Sequence, residues 1–524
     1  MLTIKYMRFV DDQKGSKMEN LSRELVASGI QLNADLKVSV DKDLKEKVLQ
    51  FGEGNFLRGF VDWMIHELNR QELFEGKVVI VQPLSDGMVD VINKQDGLYT
   101  LFLRGLQNGE IIRDKSLISS VSRGINPYAD FDKYMKCAEN PDLRVIISNT
   151  TEAGIAYNPN DKLTDAPPAS YPGKLTVLLY KRFEFFKGDP TRGFILLPCE
   201  LIDRNGDNLK RIVLQLATQW QLGNDFIYWL NSSNHFLNTL VDRIVTGFPR
   251  EEYESLTKEL GYQDHVLNTA EIFHLWVIEG DKKLSKELPF KEAGLNVIWT
   301  EDMAPYRTRK VRILNGAHTM TVLAAYLYGK ETVKECMDDP VIRLYMNKGI
   351  FEEIIPTLAL PENELKEFAH AVEERFANPF IKHYLLSITL NSTSKFKTRV
   401  LPSILEYVAK NGDLPKVLTF SMAALLAFYR GTEIRENVLI GNRLGAEYEI
   451  KDELPVLEMF KALWSQYDGS AEGAAILVHG VLSRTELWGT DLNNIQGFSA
   501  TVSSYLYNII TKSVNEAIKE IIQA

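Results

Sequence analysis

This sequence has few cysteines, and it has no long apolar runs and no excess of positive charge. Its 524 residues include only three cysteines, Cys137, Cys199 and Cys336, and these lie far apart. This spacing argues against a disulfide framework or a paired-cysteine zinc site and fits a reducing cytoplasm. No apolar run approaches the roughly 20 residues of a membrane-spanning helix. Residues 1–20 are mixed and polar, so we expect no signal peptide.

The charge balance disfavours two classes of partner. The formal net charge is −10, from 60 Lys and Arg against 70 Asp and Glu. Nucleic acid and anionic membrane surfaces are therefore not favoured as partners. The hydrophobic share of 45% is normal for a globular protein, and the length suggests two or more domains. We expect a cytoplasmic protein that acts on a small molecule.

The first half of the chain has apolar runs that alternate with helical patterns. Such runs fit buried parallel strands, and the alternation predicts an α/β sheet with helices on both faces. The runs lie in residues 47–68, 77–83, 143–155 and 193–206.

The second half changes character after about residue 265. Its apolar residues recur at helical spacing, as in residues 364–379, where Leu365, Phe368, Val372 and Phe376 share one face. Few segments there resemble strands. We therefore predict an α/β domain followed by a mostly helical domain.

A glycine turn follows the first apolar strand. Gly52 and Gly54 stand between that strand and a helical pattern, where backbone N–H groups and a helix N-terminus can hold a pyrophosphate. The match to a dinucleotide fingerprint is imperfect, because Leu57 occupies the third glycine position and Gly59 comes two residues late. An ordinary strand–helix turn remains the alternative. Asp86 is the candidate for the acidic ribose contact, and a solvated loop carboxylate is the alternative.

An unusual set of polar residues interrupts the apolar stretch KVRILNGAHTM, residues 310–320. With 100° per residue, Lys310, Asn315 and His318 fall within an arc of roughly 140°. A partly desolvated lysine can exchange a proton near neutral pH, and Asn and His can donate to an oxygen that gains charge. These groups suit carbonyl reduction by hydride. A structural histidine and a lysine that reaches solvent are the alternative.

These motifs resemble those of the long-chain polyol-specific dehydrogenases, the family typified by mannitol dehydrogenase and the hexuronate reductases. The family carries a Lys-x4-Asn-x2-His motif, which Lys310, Asn315 and His318 fit. Residues 236–246, FLNTLVDRIVT, resemble its Val-Asp-Arg-Ile stretch, although Thr246 stands where Pro or Ser is usual.

Further segments extend the resemblance over residues 45–510. Residues 51–60, FGEGNFLRGF, look like the glycine turn of the family, and residues 95–105 look like the segment after its second strand. Several motifs in the same order make the resemblance specific.

The resemblance implies a fold and a cofactor. We expect an α/β Rossmann-type N-terminal domain followed by a mostly α-helical C-terminal domain, with NAD as cofactor and no metal. The predicted division is an N-terminal extension over 1–40, an NAD-binding Rossmann-type domain over 41–265 and a helical substrate domain over 266–524.

The resemblance also implies roles for residues. Lys310 would be the catalytic acid/base, Asn315 and His318 would hold the reacting oxygen, and Lys395 would bind substrate. Phe56 has packing beneath the helix as an equal alternative. The residues expected at the cofactor are Gly52, Gly54, Asn55, Phe56, Arg58, Asp86, Asn149 and Thr150.

Three departures from the mannitol dehydrogenases narrow the expected substrate. Leu201 stands where they have a substrate-binding Asn, Ser387 where they have Arg, and Arg307 where they usually have Glu. These changes resemble the branch that reduces tagaturonate to altronate, whose PCELID-NG and NPFI-H-LLSI-LNS-SK patterns fit residues 198–206 and 378–395. The fructuronate-reducing branch and a mannitol-type polyol dehydrogenase remain the alternatives.

A keto-uronate offers a ketone to hydride and a carboxylate for recognition, which suits Arg or Lys. Lys395 is the preferred candidate for this carboxylate, and Arg307, Arg312 and Lys397 are the others. A solvent-facing charge is the alternative for each, and the favoured one for Arg312 and Lys397.

Two hypotheses from other classes are less favoured. A sensor or inactive relative would have lost the lysine or the glycine turn, and both are present. A zinc-dependent dehydrogenase is disfavoured because no histidine pairs with Cys or carboxylate at a recognisable ligand spacing. The choice between NAD and NADP leans slightly toward NAD, since no arginine cluster follows the second strand.

Overall fold

The computed structural model describes residues 18–28, 35–39, 44–151 and 153–523. The chain divides into two compact units. Unit 1 contains the described residues of Met1–Arg104 and Arg113–Glu301, and unit 2 contains those of Gly105–Ile112 and Asp302–Ala524.

Unit 1 is built around parallel strands with helices between them. Its strands, two of which run into the 105–112 segment, are β1 Lys37–Val38, β2 Lys45–Phe51, β3 Gly76–Val81, β4 Tyr99–Gln107, β5 Glu110–Ile118, β6 Val121–Ile125, β7 Val145–Ser148, β8 Ile195–Pro198, β9 His235–Phe236, β10 Asn238–Asp242, β11 Val245–Gly247, β12 Asn268–Glu271, β13 Leu275–Glu279 and β14 Val297–Thr300. Its helices are α1 Arg23–Ala27, α2 Asn55–Gly59, α3 Val61–Arg70, α4 Val89–Lys94, α5 Phe131–Met135, α6 Tyr171–Phe185, α7 Asn205–Gln219, α8 Asn224–Ser233 and α9 Tyr253–Leu260, with 3₁₀ turns at Lys136–Glu139, Pro190–Arg192 and Lys282–Glu287.

The central sheet of unit 1 confirms the Rossmann-type prediction. Its strand order is β6-β3-β2-β7-β8-β9, and every neighbouring pair is parallel. All residues of β3, β7 and β8 are buried, because helices cover both faces of the sheet. The strand order reverses between β2 and β7. In open α/β sheets this reversal creates a crevice at the carboxyl ends of the strands, where ligands bind.

The observed division between the units differs from the predicted boundary after residue 265. Residues 266–301 pack into unit 1: β12 pairs in parallel with β4, and β13 pairs with β10 and β14. The run Leu275–Ile278 is fully buried and apolar, which is typical of a core strand. We therefore place the boundary after Glu301.

The predicted N-terminal extension is partly described. Residues 1–17, 29–34 and 40 of that extension lie outside the described residues. The described part includes α1, whose first turn is capped by the Ser22 hydroxyl. Leu21 and Leu25 are buried in a cluster with Tyr262, so this part belongs to unit 1.

Unit 2 is mostly helical, as predicted. Its helices are α10 Ala304–Arg309, α11 Gly316–Tyr328, α12 Val333–Asp338, α13 Pro340–Asn347, α14 Glu362–Phe376, α15 Leu385–Ile388, α16 Ser392–Arg399, α17 Leu401–Asn411, α18 Lys416–Phe428, α19 Leu454–Ser465, α20 Ala471–Leu482, α21 Thr485–Trp488, α22 Phe498–Thr511 and α23 Val514–Gln523. Two π-helical segments occupy Lys310–Asn315 and Lys348–Ile354, 3₁₀ turns lie at Ile355–Thr357 and Leu492–Asn494, and a three-stranded sheet consists of β15 Gly431–Arg435, β16 Val438–Arg443 and β17 Ala446–Ile450.

Helix α18 forms the centre of unit 2. All its residues from Val417 to Phe428 are buried, because it is apolar around its whole circumference. Helices α11 and α22 pack against it. The face predicted for residues 364–379 is confirmed in α14, where Leu365, Phe368, Val372 and Phe376 are all buried.

Candidate active site

The glycine turn of unit 1 lies at the reversal of strand order. Gly52 follows β2 with φ +122°, and a Cβ there would stand 2.9 Å from the carbonyl oxygen of Asn149. Only glycine fits this conformation and this approach. Gly54 then caps α2 in an extended conformation and has no other atom within 4 Å of its Cβ position. The turn is therefore tight at Gly52 and open at Gly54.

The end of β7 forms the other side of the turn. The Asn149 N–H donates to the carbonyl of Phe51 at 3.0 Å, and its Nδ2 donates to the carbonyl of Cys199 at 2.9 Å. The Thr150 N–H and hydroxyl both donate to Glu200 Oε1, each at 2.9 Å. Both predicted residues thus lie beside the glycine turn, with their side chains engaged by the end of β8.

The side chains of Arg58 and Phe56, just after the glycines, make contacts within unit 1. The side chain of Arg58 is almost fully buried, and it donates to the carbonyls of Glu53 and Val266 and to Asn55 Oδ1. Arg58 therefore supports the turn from within unit 1. Phe56 stacks on Phe60 with ring centroids 5.0 Å apart, as its packing alternative predicts.

The loop after β3 carries the candidate ribose contact. Asp86 is exposed on this loop. Gln82 shapes the loop, because its Nε2 donates to the carbonyls of Leu84 and Ser85 at 2.9 and 3.0 Å. No lysine or arginine occurs between residues 82 and 90. An exposed carboxylate in a segment without Lys or Arg suits a ribose hydroxyl better than a ribose phosphate.

These observations fit a dinucleotide. The switch point of the sheet, the tight Gly52 and the open Gly54 leave the space that a pyrophosphate needs at the start of a helix. The structure brings Gly52, Gly54, Asn149 and Thr150 together, and it places Asp86 at the end of the adjacent strand.

In unit 2, Lys310, Asn315 and His318 lie on a helical stretch that contains a π-helical segment. Lys310–Asn315 is π-helical between α10 and α11, and the Gly316 N–H donates to the carbonyl of Val311, five residues earlier. Residues five apart stand about one turn apart in such a segment. Lys310 and Asn315 are therefore closer in angle than the predicted arc, which assumed a regular α-helix. Short π-helical segments occur frequently at functional sites.

Asn315 and His318 have polar groups available. Among the described residues, neither the Asn315 amide nor the His318 ring makes a hydrogen bond. The His318 ring lies against Phe376 at 4.0 Å and His383 at 5.3 Å between centroids. Desolvation lowers the pKa of His318 well below its usual value, and the neighbouring bases His383, Arg375, Arg399 and Lys395 lower it further. His318 is therefore neutral at physiological pH and can donate from one ring nitrogen.

The candidate substrate residues differ in their surroundings. Lys395 is half-buried, and its Nζ donates to the carbonyl of Ile388 at 2.7 Å. Desolvation lowers its pKa, as does the nearby Arg399. Arg307 is partly buried three residues before Lys310. Arg312 donates to Ser403 Oγ at 2.8 Å and Glu406 Oε1 at 2.9 Å, so it holds the π-helical segment Lys310–Asn315 against α17.

Sequence reasoning missed several residues near His318. His383, Arg375 and Arg399 come from three different segments of unit 2, and no local motif connects them to the helix of Lys310. A signal existed for His383, which stands at the histidine of the NPFI-H-LLSI pattern. Glu200 was also missed as a supporting residue, and burial raises the pKa of its carboxyl group.

Comparison with protein-family models covers most of the chain. Residues 46–292 match the mannitol dehydrogenase Rossmann domain, and residues 302–510 match the mannitol dehydrogenase C-terminal domain. Altronate oxidoreductase of Escherichia coli O6:K15:H31 (strain 536 / UPEC) is 48% identical over 475 residues, which are 90% of this chain and 96% of that relative. The chain belongs to the mannitol dehydrogenase family.

Other relatives agree with this assignment. Altronate oxidoreductase of Pectobacterium atrosepticum is also 48% identical over 90% of this chain and 96% of its own length. The division between the two family models, at residues 292 and 302, agrees with the structural boundary after Glu301.

Solved structures share the fold. Mannitol 2-dehydrogenase of Pseudomonas fluorescens, in a ternary complex with NAD and D-mannitol, is 22% identical with a TM-score of 0.65, covering 96% of this chain and 99% of that one. Substrate-free D-sorbitol dehydrogenase is 21% identical with a TM-score of 0.77, covering 95% and 100%.

The described residues show neither a metal cluster nor a membrane-spanning helix. They contain no group of three His, Cys, Asp or Glu side chains able to hold a metal ion. None of the helices described is both long and apolar enough to cross a membrane.

Proposed function

We propose that this protein is an NAD-dependent oxidoreductase that reversibly reduces D-tagaturonate to D-altronate in hexuronate catabolism. The observation that carries the proposal is the Lys310, Asn315 and His318 set on an interrupted helix, in a chain 48% identical to altronate oxidoreductases. We also propose a cytoplasmic location, which the three free, buried cysteines support.

Lys310 is the general acid in reduction and the general base in oxidation. It donates a proton to the oxygen that becomes the alcohol, and takes that proton back in the reverse direction. Asn315 and neutral His318 donate hydrogen bonds to the same oxygen, and so stabilise the charge that develops on it. The π-helical segment supports these roles because it places Lys310 and Asn315 about one turn apart.

The glycine turn and the ends of β3 and β7 hold the cofactor. NADH, when bound, supplies the hydride. Gly52 and Gly54 allow close approach of its pyrophosphate, and the exposed Asp86 accepts from a ribose hydroxyl. Asn149 and Thr150 line the other side of the crevice, while Arg58 supports the turn.

The substrate assignment depends on departures from the mannitol enzymes. Glu200 directs its carboxylate inward to Thr150, and the next residue, Leu201, is exposed and cannot hydrogen-bond a sugar hydroxyl through its side chain. Lys395 and Arg307 supply positive charge for an acidic substrate. Both features favour a sugar acid over mannitol.

The test is NADH oxidation by purified protein with tagaturonate, fructuronate and fructose as parallel substrates. We expect the highest kcat/KM with tagaturonate. Preference for fructuronate would support the same hydride transfer but would make fructuronate the substrate in place of tagaturonate. Preference for fructose, or no turnover while NADH still binds, would contradict the proposal.

A further inference from the structure

Positive charge is concentrated around His318. The cationic side chains that act on its imidazole are Arg375, Arg399 and Lys395, and no carboxylate is among the strongest influences on it. Lys310 lies two turns earlier on the same helical stretch. Cations gathered in a partly desolvated region repel one another unless an anion joins them. The region is therefore suited to a negatively charged ligand.

Arg399 is the arginine near His318 that has no partner among the described residues. Its side chain is half-buried at the end of α16, and it makes no hydrogen bond or ion pair with any described residue. Its own carbonyl oxygen lies 3.2 Å from the position of a Cβ on Gly316, so its backbone contacts the turn between Asn315 and His318. A guanidinium carries five N–H donors, and those of Arg399 have no acceptor among the described residues, so they can bind a ligand.

Arg399 and Lys395 are four residues apart on α16, and such residues share one helix face. The two are close enough for Arg399 to lower the pKa of Lys395. The carboxylate that acts on Lys395 is Asp452, which already accepts from the Thr393 and Tyr429 hydroxyls. Two cations on this face therefore stand against one carboxylate, and Lys395 and Arg399 together retain a net positive charge.

Two other positions, those of Arg312 and Ser387, offer no free guanidinium. Arg312 is bound to Glu406, and Ser387, where mannitol dehydrogenases have Arg, donates to the carbonyl of Tyr384 at 2.7 Å. A cation for the substrate must therefore come from another position. A guanidinium binds a carboxylate through two parallel hydrogen bonds, which a lysine cannot do.

We propose that Arg399 binds the carboxylate of the sugar-acid substrate beside Lys395, and thereby sets the preference for a sugar acid over a neutral polyol. This inference rests on the proposed function, since it assigns a residue to the acidic group of that substrate.

The test compares Arg399→Gln and Arg399→Lys with the wild type. Lys366→Gln is the control, because it removes one positive charge from an exposed pair with Glu362 on α14. Steady-state kinetics with tagaturonate give kcat and KM separately. Calorimetry gives the dissociation constants of altronate and of altritol, the neutral polyol in which the carboxylate is replaced by an alcohol.

We expect Arg399→Gln to raise the KM for tagaturonate and the dissociation constant of altronate by about 10- to 100-fold, the effect of losing a charged hydrogen-bonded pair. The altritol dissociation constant and kcat should change little. Arg399→Lys should give values between those of the wild type and Arg399→Gln, because it retains the positive charge and loses the two parallel hydrogen bonds. Lys366→Gln should match the wild type.

Altronate binding that is unchanged in Arg399→Gln would overturn the inference, as would equal weakening of altronate and altritol, which indicates a structural role. A wild type that binds altronate without reducing tagaturonate would overturn the proposed function, and the Arg399 comparison would still decide this inference. A wild type that binds neither ligand would overturn both.

Discussion

The glycine turn of unit 1 and the helical stretch of unit 2 that carries Asn315 and His318 differ in how their polar side chains are hydrogen-bonded. Around the turn, the polar side chains are paired within the protein: Arg58 donates to two carbonyls, and Thr150 donates to Glu200. On the helix, the Asn315 amide and the His318 ring make no hydrogen bond among the described residues. Leaving polar groups unpaired costs stability, so proteins tolerate it chiefly where a ligand completes the pairing.

This difference assigns separate tasks to the two regions. The turn is a rigid backbone surface whose shape depends on internal pairing. In the proposed function, the Asn315 and His318 side chains on the helix donate hydrogen bonds to the substrate. Substitutions in the turn should therefore change cofactor affinity and stability, and substitutions on the helix should change kcat.

Apart from substitution of Lys310, the largest effect should come from Asn315→Ala. Removing one donor to a developing oxyanion lowers kcat by about 10²–10³-fold. NADH affinity and the free energy of unfolding should change little, because the amide has no partner within the described protein. Steady-state kinetics and NADH fluorescence titration test this, with the exposed Asn411→Ala as control. Loss of NADH affinity in Asn315→Ala would contradict the assignment of cofactor binding to the glycine turn and of catalysis to the helix.

The two glycines of the turn should respond differently to alanine. Gly52→Ala forces φ +122° on a residue with a Cβ and places that Cβ against the Asn149 carbonyl, so the free energy of unfolding should fall by about 1–3 kcal/mol. Gly54→Ala meets no protein atom, so stability should remain within about 0.5 kcal/mol.

The same pair tests where the cofactor lies. If the pyrophosphate passes over Gly54, the added Cβ should weaken NADH binding on the order of tenfold, or about 1.4 kcal/mol. Denaturant unfolding and NADH titration measure both quantities. Normal NADH affinity in Gly54→Ala would mean that the cofactor does not approach this residue.

Acid should destabilise the protein through His318. Its pKa is lowered in the folded state, mainly by desolvation, whereas in the unfolded chain it is near 6.5. Below about pH 6.5 the unfolded state binds the extra proton, so this contribution falls with pH by up to about 1.4 kcal/mol per pH unit. Above that pH it is fully present.

The contribution of His318 can be isolated by difference. His235, His274 and His383 also have lowered pKa values, so the slope must be compared between the wild type and His318→Gln. Unfolding free energies at pH 7.5 and about pH 5.5 should show a shallower acid slope in the variant. Equal slopes would mean that His318 is not desolvated as described.

The smallest effect should come from Asp86→Ser. Loss of a single hydrogen bond to a ribose hydroxyl should weaken NADH binding by about 3- to 10-fold, and NADPH should be disfavoured less than before. Stability should not change, because Asp86 is exposed. Asp90→Asn, also exposed, is the control. An unchanged ratio of NADH to NADPH affinity would remove Asp86 from the cofactor site.

The features predicted from sequence are those encoded by local patterns. The apolar runs at β2, β3, β7 and β8 specify a parallel sheet, and the apolar face of α14 follows helical spacing. The glycine turn was recognisable because strand, glycine and helix are adjacent in sequence. The Lys310 motif was recognisable for the same reason.

The features that sequence did not reveal depend on tertiary packing. The π-helical segment at Lys310–Asn315 has no compositional mark, since it shifts hydrogen bonds without changing residue types. The inward orientation of Arg58 depends on the carbonyl of Val266, more than two hundred residues away. Arg399 lies near His318 only because α16 packs against α11.

The most direct test of the central claim is Lys310→Ala, measured for NADH binding and for tagaturonate reduction on the same preparation. The account predicts wild-type NADH affinity and thermal stability, with kcat lowered by at least about 10²-fold and up to about 10⁴-fold. A folded Lys310→Ala protein that reduced tagaturonate at nearly the wild-type rate would contradict it.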